Sequence, residues 1–235
     1  ISFEVERDEL IGLIGPNGAG KTTLFNCISG LHTITSGEVI FDGEDITALK
    51  AHVVARRGLA RTFQVYVAAG DLTVLENVMV GCFMKTRSRA GARHKAMEIL
   101  EDLGIDDLSH SLVIELPVAA QKRVTMATAI GSEPKMLLLD EVAAGLNPNE
   151  IDGIMASIRH VHDHMGITVI LIEHVMELVM KVSHKLIVLD YGEKIAEGDP
   201  QTVSKDPRVI KAYLGERYAK EHGGLNSVGQ SEIDP

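Results

Sequence analysis

The feature that most constrains this chain is a short loop, Gly15, Pro16, Asn17, Gly18, Ala19, Gly20, Lys21 and Thr22, held between an apolar run and a helical one. It fits G-x-x-x-x-G-K-[ST], with Leu10 to Ile14 before it reading as a buried strand and Thr23 to Ile28 after it as a helix. That context carries more weight than the match. Glycines let a backbone wrap round phosphate with its N–H groups turned inward, and a helix N-terminus adds partial positive charge. Lys21 is then expected to reach the β- and γ-phosphates of a nucleotide, and Thr22, followed by Thr23, to offer a hydroxyl to Mg²⁺.

A strand–loop–helix start implies more of the same, and the chain supplies it. Met136 to Leu139, Ile167 to Ile172 and Leu186 to Leu189 are continuous apolar runs, the pattern of strands covered on both faces of a parallel sheet. Between two of them, Ile151, Ile154, Met155, Ile158 and Met165 share a helix face, opened by Asn147, Pro148 and Glu150 and ended by Gly166. The expected fold is α/β, a parallel sheet flanked by helices, with ligands beyond the carboxyl ends of the strands. Residues 72–130 read differently: Ala96, Ile99, Leu100 and Leu103 form one helical stripe, and Val124, Ala127 and Ile130 suggest another. The organisation predicted is a core from 1–71 and 131–220, an inserted helical subdomain at 72–130, and a mobile tail at 221–235. Asp190 to Glu193 reads as a hairpin turn, and Asp199-Pro200 and Asp206-Pro207 as two helix starts.

The 235 residues carry a net charge of −10, which argues against nucleic acid as the principal partner. No apolar run approaches bilayer-spanning length. Cys27 and Cys82 are too few and too far apart for a disulfide framework or a zinc site, in keeping with a reducing cytoplasm. Ile1 to Glu6 alternates apolar and acidic residues like an edge strand that begins abruptly, and with no initiating Met, further residues are expected upstream.

Two carboxylates end the run Met136 to Leu139. Asp140 is the expected metal-side acid, and Glu141, one residue further, the expected acceptor of a proton from an attacking water. His174 follows another buried strand directly and should emerge at the same rim. The cluster His160, His162 and His164 reads as a helix surface.

The order of phosphate loop, Gln64 in Arg61-Thr-Phe-Gln64, a helical stretch, Leu116, Pro117, Val118, Ala119, Ala120 and Gln121, then Asp140-Glu141, Ala144 to Asn147 and His174, resembles the ABC transporter ATPase family over nearly the whole chain. Arg-Thr-Phe-Gln, Ala-Ala-Gly-Leu-Asn-Pro and Ile-Glu-His look like the branch that powers import of branched-chain amino acids. The resemblance implies a P-loop NTPase core with an N-terminal antiparallel β subdomain. It implies an ATPase using ATP and Mg²⁺, paired head to tail as a homodimer or with a related ATPase subunit. Each ATP would lie between one phosphate loop and the facing subunit's signature, Leu116 to Gln121. Gln64 would contact Mg²⁺ and the γ-phosphate and signal to the helical insertion, where a transmembrane permease docks, served indirectly by a solute-binding protein. His174 would orient the γ-phosphate and the water, and Asn147 would lie at the dimer seam. Such a subunit sits peripherally on the cytoplasmic face of the cell membrane.

The chain departs from the family at the signature, usually Leu-Ser-Gly-Gly-Gln: Ala119 replaces the glycine expected in fourth position and Ala120 the glutamine expected in fifth. Val142 replaces the proline usual after the catalytic glutamate, and the adenine-stacking aromatic is expected upstream of Ile1. A second reading therefore stands beside the import ATPase: a nucleotide-gated regulatory or structural subunit, active only beside a different ATPase partner.

Overall fold

The computed structural model describes residues 1–62 and 69–213. In chain order it contains β1 (Leu10–Ile14), α1 (Lys21–Ile28), β2 (Ile40–Phe41), β3 (Glu44–Asp45), α2 (Ala51–Arg56), β4 (Leu59–Arg61), α3 (Val74–Cys82), α4 (Arg89–Asp102), α5 (Val118–Ile130) and β5 (Met136–Asp140). These are followed by α6 (Pro148–Asp163), β6 (Thr168–Ile172), α7 (Met176–Val182), β7 (Lys185–Asp190), β8 (Glu193–Gly198) and α8 (Pro200–Val203). The main sheet runs β4-β5-β6-β1-β7-β8, and every pair in it is parallel except β7 with β8. Its central strands are buried on both faces, which is why the sequence reads there as unbroken apolar runs.

Period-two alternation divides these runs between two layers. Ile11, Leu13, Leu138, Ile170, Ile172, Ile187 and Leu189 face one side, against Phe25 of α1 and Phe41 and Ile46 around the small β2-β3 hairpin. Leu137, Leu139, Val169 and Leu171 face the other, against α3, α5 and α6 through residues such as Val78, Met126 and Ile154. The helical stretch therefore packs onto the sheet in one continuous core. Both predicted stripes are buried: Ala96, Ile99 and Leu100 on α4 with Leu103 at its C-cap, and Val124, Ala127 and Ile130 on α5.

Local signals end where expected. Asn147 caps α6 through a capping box with Glu150, and Pro148 occupies the first turn. The hairpin between β7 and β8 turns on Tyr191 and Gly192, both left-handed. Asp199 caps α8, and residue 207 begins a further helical turn.

Two expectations fail. Ile1 to Glu6 forms no strand. Its alternation is used in packing instead, with Phe3 and Val5 against the layer around Phe41, while the Lys185 ammonium donates to the Glu4 carbonyl. His162 does not lie on the helix surface. It is buried, 4.9 Å from the His184 ring, because it falls four residues after Ile158 on the apolar face of α6. The expected mobile tail at 221–235 and Gln64 lie outside the described residues.

Candidate functional site

The phosphate loop leaves β1 at Gly15 and enters α1 at Lys21. Gly15 has a φ of 149°, and a Cβ there would lie 2.1 Å from the Leu189 carbonyl oxygen, so only glycine lets the loop pass this close to β7. The Gly192 N–H donates to the Ala19 carbonyl and ties the β7–β8 turn to the loop. Lys21 is 5% exposed, and its ammonium donates to the carbonyls of Gly15 and Pro16 at 2.7 and 2.9 Å. That places a buried cation inside the loop. The first turn of α1 has no acidic residue and no side-chain cap, which keeps its N–H groups available to an anion, with Thr22 and Thr23 exposed beside them.

Asp140 ends β5 and is 2% exposed. Its Oδ2 accepts from Arg61 at 2.8 Å, while its Oδ1 is buried with no hydrogen-bond partner. A carboxylate oxygen in that state fits a hard divalent cation, which is commonly held by one or two carboxylates together with phosphate and water. Arg61 had no assigned role in the sequence. It also donates to the Asn26 side chain at 2.6 Å and lies over the Phe25 ring, so it joins β5 to the helix behind the phosphate loop. Among the described residues, no group of three or more His, Cys, Asp or Glu side chains gathers to hold a metal.

Glu141 and His174 meet. Glu141 has a φ of 51°, left-handed for a residue with a side chain, and its N–H donates to the Ile172 carbonyl of β6. The turn carries its carboxylate across to the next strand, where Oε1 lies 2.7 Å from His174 Nε2. With the ring proton on Nε2, His174 donates to the carboxylate, and its imidazole is the more exposed member of the pair. A base with a positioned partner, at the mouth of strands next to a phosphate loop, can take a proton from water.

Two neighbours escaped the sequence reading. Glu173 is 2% exposed, and its carboxylate accepts from the Ala143 N–H at 2.7 Å and the His174 N–H at 3.3 Å. Burial pushes its carboxyl up to about 7, against the N–H donors and the charge of Lys122, which pull it down. Lys122 of α5 donates to the Glu141 carbonyl at 3.1 Å, and burial lowers its own pKa. The available signal was position: Glu173 closes an apolar run just as Asp140 does.

Leu116 to Gln121 lies at the start of α5, which packs against α3, α4, α6 and β4. Pro117 is the N-cap and makes no side-chain cap bond, Val118 is exposed, and Ala119 and Ala120 are half-buried. The Gln121 amide turns back to the Leu116 carbonyl at 2.9 Å. No side chain there presents a hydroxyl.

Residues 1–144 match the ABC transporter family, and residues 193–219 match the branched-chain amino acid ATP-binding cassette transporter family. The chain is 38% identical over 232 residues to the high-affinity branched-chain amino acid transport ATP-binding protein BraF of Pseudomonas aeruginosa, covering 92% of this chain and 91% of that one. It is 36% identical to LivG of Escherichia coli, of the same description, with the same coverage. Among solved structures it is similar to an ATP-binding cassette of an ABC transporter in its ADP conformation. The TM-score is 0.83 at 31% identity, over 92% of this chain and 91% of that one. A dimeric cassette in a post-hydrolysis state bound to ADP and Pi gives a TM-score of 0.75 at 25% identity, over 84% and 88%.

Proposed function

This chain belongs to the ABC transporter family as an ATP-binding, ATP-hydrolysing subunit, and from that premise we propose that it powers uptake of branched-chain or other amino acids through a membrane permease. The observation that carries the reading is the 2.7 Å bond between Glu141 and His174 at the carboxyl ends of adjacent strands, beside a loop holding a buried lysine. ATP would lie with its phosphates over Gly15 to Thr23, its β- and γ-phosphates facing Lys21 and the N-terminus of α1. Thr22, Asp140 and, by family resemblance, Gln64 would hold Mg²⁺, which when bound draws charge from the phosphate oxygens. Glu141 accepts the proton of the attacking water, and His174 holds that carboxylate in place and faces the γ-phosphate. Leu116 to Gln121 serves the ATP of a facing subunit in a head-to-tail dimer, with Asn147 at the seam. Residues 72–130 receive the permease, against a core of 1–71 and 131–220. Among the described residues no helix is long and apolar enough to cross a membrane, so the subunit would hold to the membrane through the permease.

The test is Glu141→Gln, which should keep ATP binding and accumulate an ATP-bound dimer while turnover falls about 10²–10⁴-fold. Hydrolysis at the wild-type rate would remove Glu141 from the mechanism.

The start of α5 favours a second reading. With Pro117, Ala119 and Ala120 in place of a hydroxyl and a glycine-rich turn, the facing ATP would meet backbone N–H groups alone, without a bond that is worth about 1.5–3 kcal/mol to a charged group. The chain would then act as a nucleotide-gated subunit that hydrolyses ATP only beside a partner with an intact signature. Assay of the purified chain alone and with each related ATPase from the same cell separates the two. Strong activity alone excludes the second.

A further inference from the structure

Glu173 is buried at the carboxyl end of β6 and has no role in the mechanism just given. A space-filling side chain at that position would avoid the cost of burying a carboxylate next to Glu141. What a carboxylate adds is two acceptor oxygens on one rigid group. Oε1 takes the Ala143 N–H, on the loop after β5, and Oε2 takes the His174 N–H, on the loop after β6. These loops carry Glu141 and His174, the two partners of the 2.7 Å bond.

We propose that Glu173 is a positioning residue for hydrolysis, a buried clamp that fixes the loop of Glu141 against the loop of His174. The inference rests on the ATPase reading above. Three further groups face the clamp: Lys122 from α5, Glu141 from the loop after β5, and His174 beside it. Lys122 attracts the carboxylate and also donates to the Glu141 carbonyl, so α5, which begins with the signature segment, is joined to the same loop. A shift of α5 would move the Glu141 peptide directly, and Glu173 would pass the displacement on to His174.

Ionisation matters to such a clamp. As a carboxylate, Glu173 can accept both N–H groups, whereas the protonated acid and glutamine each keep one good acceptor and set a donor near the other N–H. Glu173→Gln therefore mimics the protonated clamp, and Glu173→Ala removes it.

The experiment compares the wild type, Glu173→Gln, Glu173→Ala and Glu141→Gln in the full chain assembled with its co-purifying permease. It measures kcat, KM and ATP Kd from pH 6 to 8.5. Glu173→Ala is expected to lower kcat about ten- to a hundredfold, the scale of a misplaced catalytic group, while KM and Kd change less than about threefold. Glu173→Gln should fall between the two and lose the part of the wild-type rise in kcat with pH that comes from ionising this group. Wild-type kcat in both variants, or a fall in ATP affinity that matches the fall in kcat, would overturn the proposal. If the alanine variant does not fold, the near-isosteric glutamine decides: an unchanged kcat and pH profile overturns the clamp. A wild type that binds ATP without turnover sinks the ATPase reading and the clamp together. Turnover abolished by Glu141→Gln but untouched by either Glu173 variant sinks the clamp alone.

Discussion

Glu173→Gln should alter the pH dependence of folding in the nucleotide-free chain, independently of any effect on turnover. The carboxyl is raised from 4.5 to about 7, first by burial and also by Glu141, while the Ala143 and His174 N–H groups and Lys122 oppose the shift. A folded-state pKa above the unfolded one means that the native protein holds the proton more tightly. The associated stability is complete below pH 4.5 and is lost as pH rises through 7. At about 1.4 kcal/mol per pH unit, the full swing is roughly 3 kcal/mol, most of which falls between pH 5 and pH 8.5. Glutamine has no proton to lose, so its stability should lack this component.

Urea unfolding of the wild type and Glu173→Gln at pH 5 and 8.5 measures it. The free-energy difference between the two proteins should move by roughly 2–3 kcal/mol in favour of glutamine at the higher pH, with m unchanged. Lys122→Met supplies a sign check: without that cation the Glu173 carboxyl should rise further, and the window in which stability is lost should move to higher pH. A wild-type-minus-glutamine difference constant within about 0.5 kcal/mol across this range would refute the reasoning, because the buried carboxyl would then titrate alike in both states.

Arg61→Ala leaves Asp140 buried without its guanidinium partner and should cost about 3–5 kcal/mol in urea unfolding; a cost under about 1 kcal/mol would show the pair to be dispensable. Asn147→Ala removes the side-chain half of a capping box and should lower stability by about 1 kcal/mol, read as a shift in the urea midpoint. Gly81→Ala would put a Cβ 1.9 Å from the Thr128 carbonyl oxygen, so α3 and α5 must part. A loss of about 1–3 kcal/mol is expected by thermal unfolding, despite alanine's better helix propensity.

The sheet was legible because its physics is local. A strand buried on both faces must be apolar throughout, and Leu10 to Ile14 and Thr168 to Ile172 carry that requirement in consecutive residues. Helix starts at Asn147 and Asp199 are equally local, since a cap and a proline act within one turn. Ile1 to Glu6 misled because alternation records only which side chains face inward, and a ladder also needs a partner strand in register. Phe3 and Val5 meet the first condition without the second. His162 was missed through its neighbours: a cluster of polar rings suggests a surface, yet position four after Ile158 outranks side-chain type on a packed helix.

The site divides the same way. Asp140, Glu141 and His174 sit at strand mouths, and Lys21 and Thr22 open the helix after the loop that follows β1, where an α/β sheet delivers its ligand groups, so chain position pointed to them. What joins them is long-range. Arg61 reaches Asp140 across 79 residues, and Glu173 reaches the Ala143 N–H across 30. Nothing local to either residue sets those distances; the register of β4, β5 and β6 does. Asp140 stands beside Ile172, so the next residue on each strand, Glu141 and Glu173, must share the space beyond the sheet edge. Two carboxylates so placed repel when both are ionised. The left-handed turn at Glu141 answers this by swinging its side chain to His174, while Glu173 stays under the loop with backbone N–H groups as partners. The register thus brings a reactive base and its support to the same rim, and the Glu173 carboxyl is raised first by its burial under the loop and only in smaller part by Glu141.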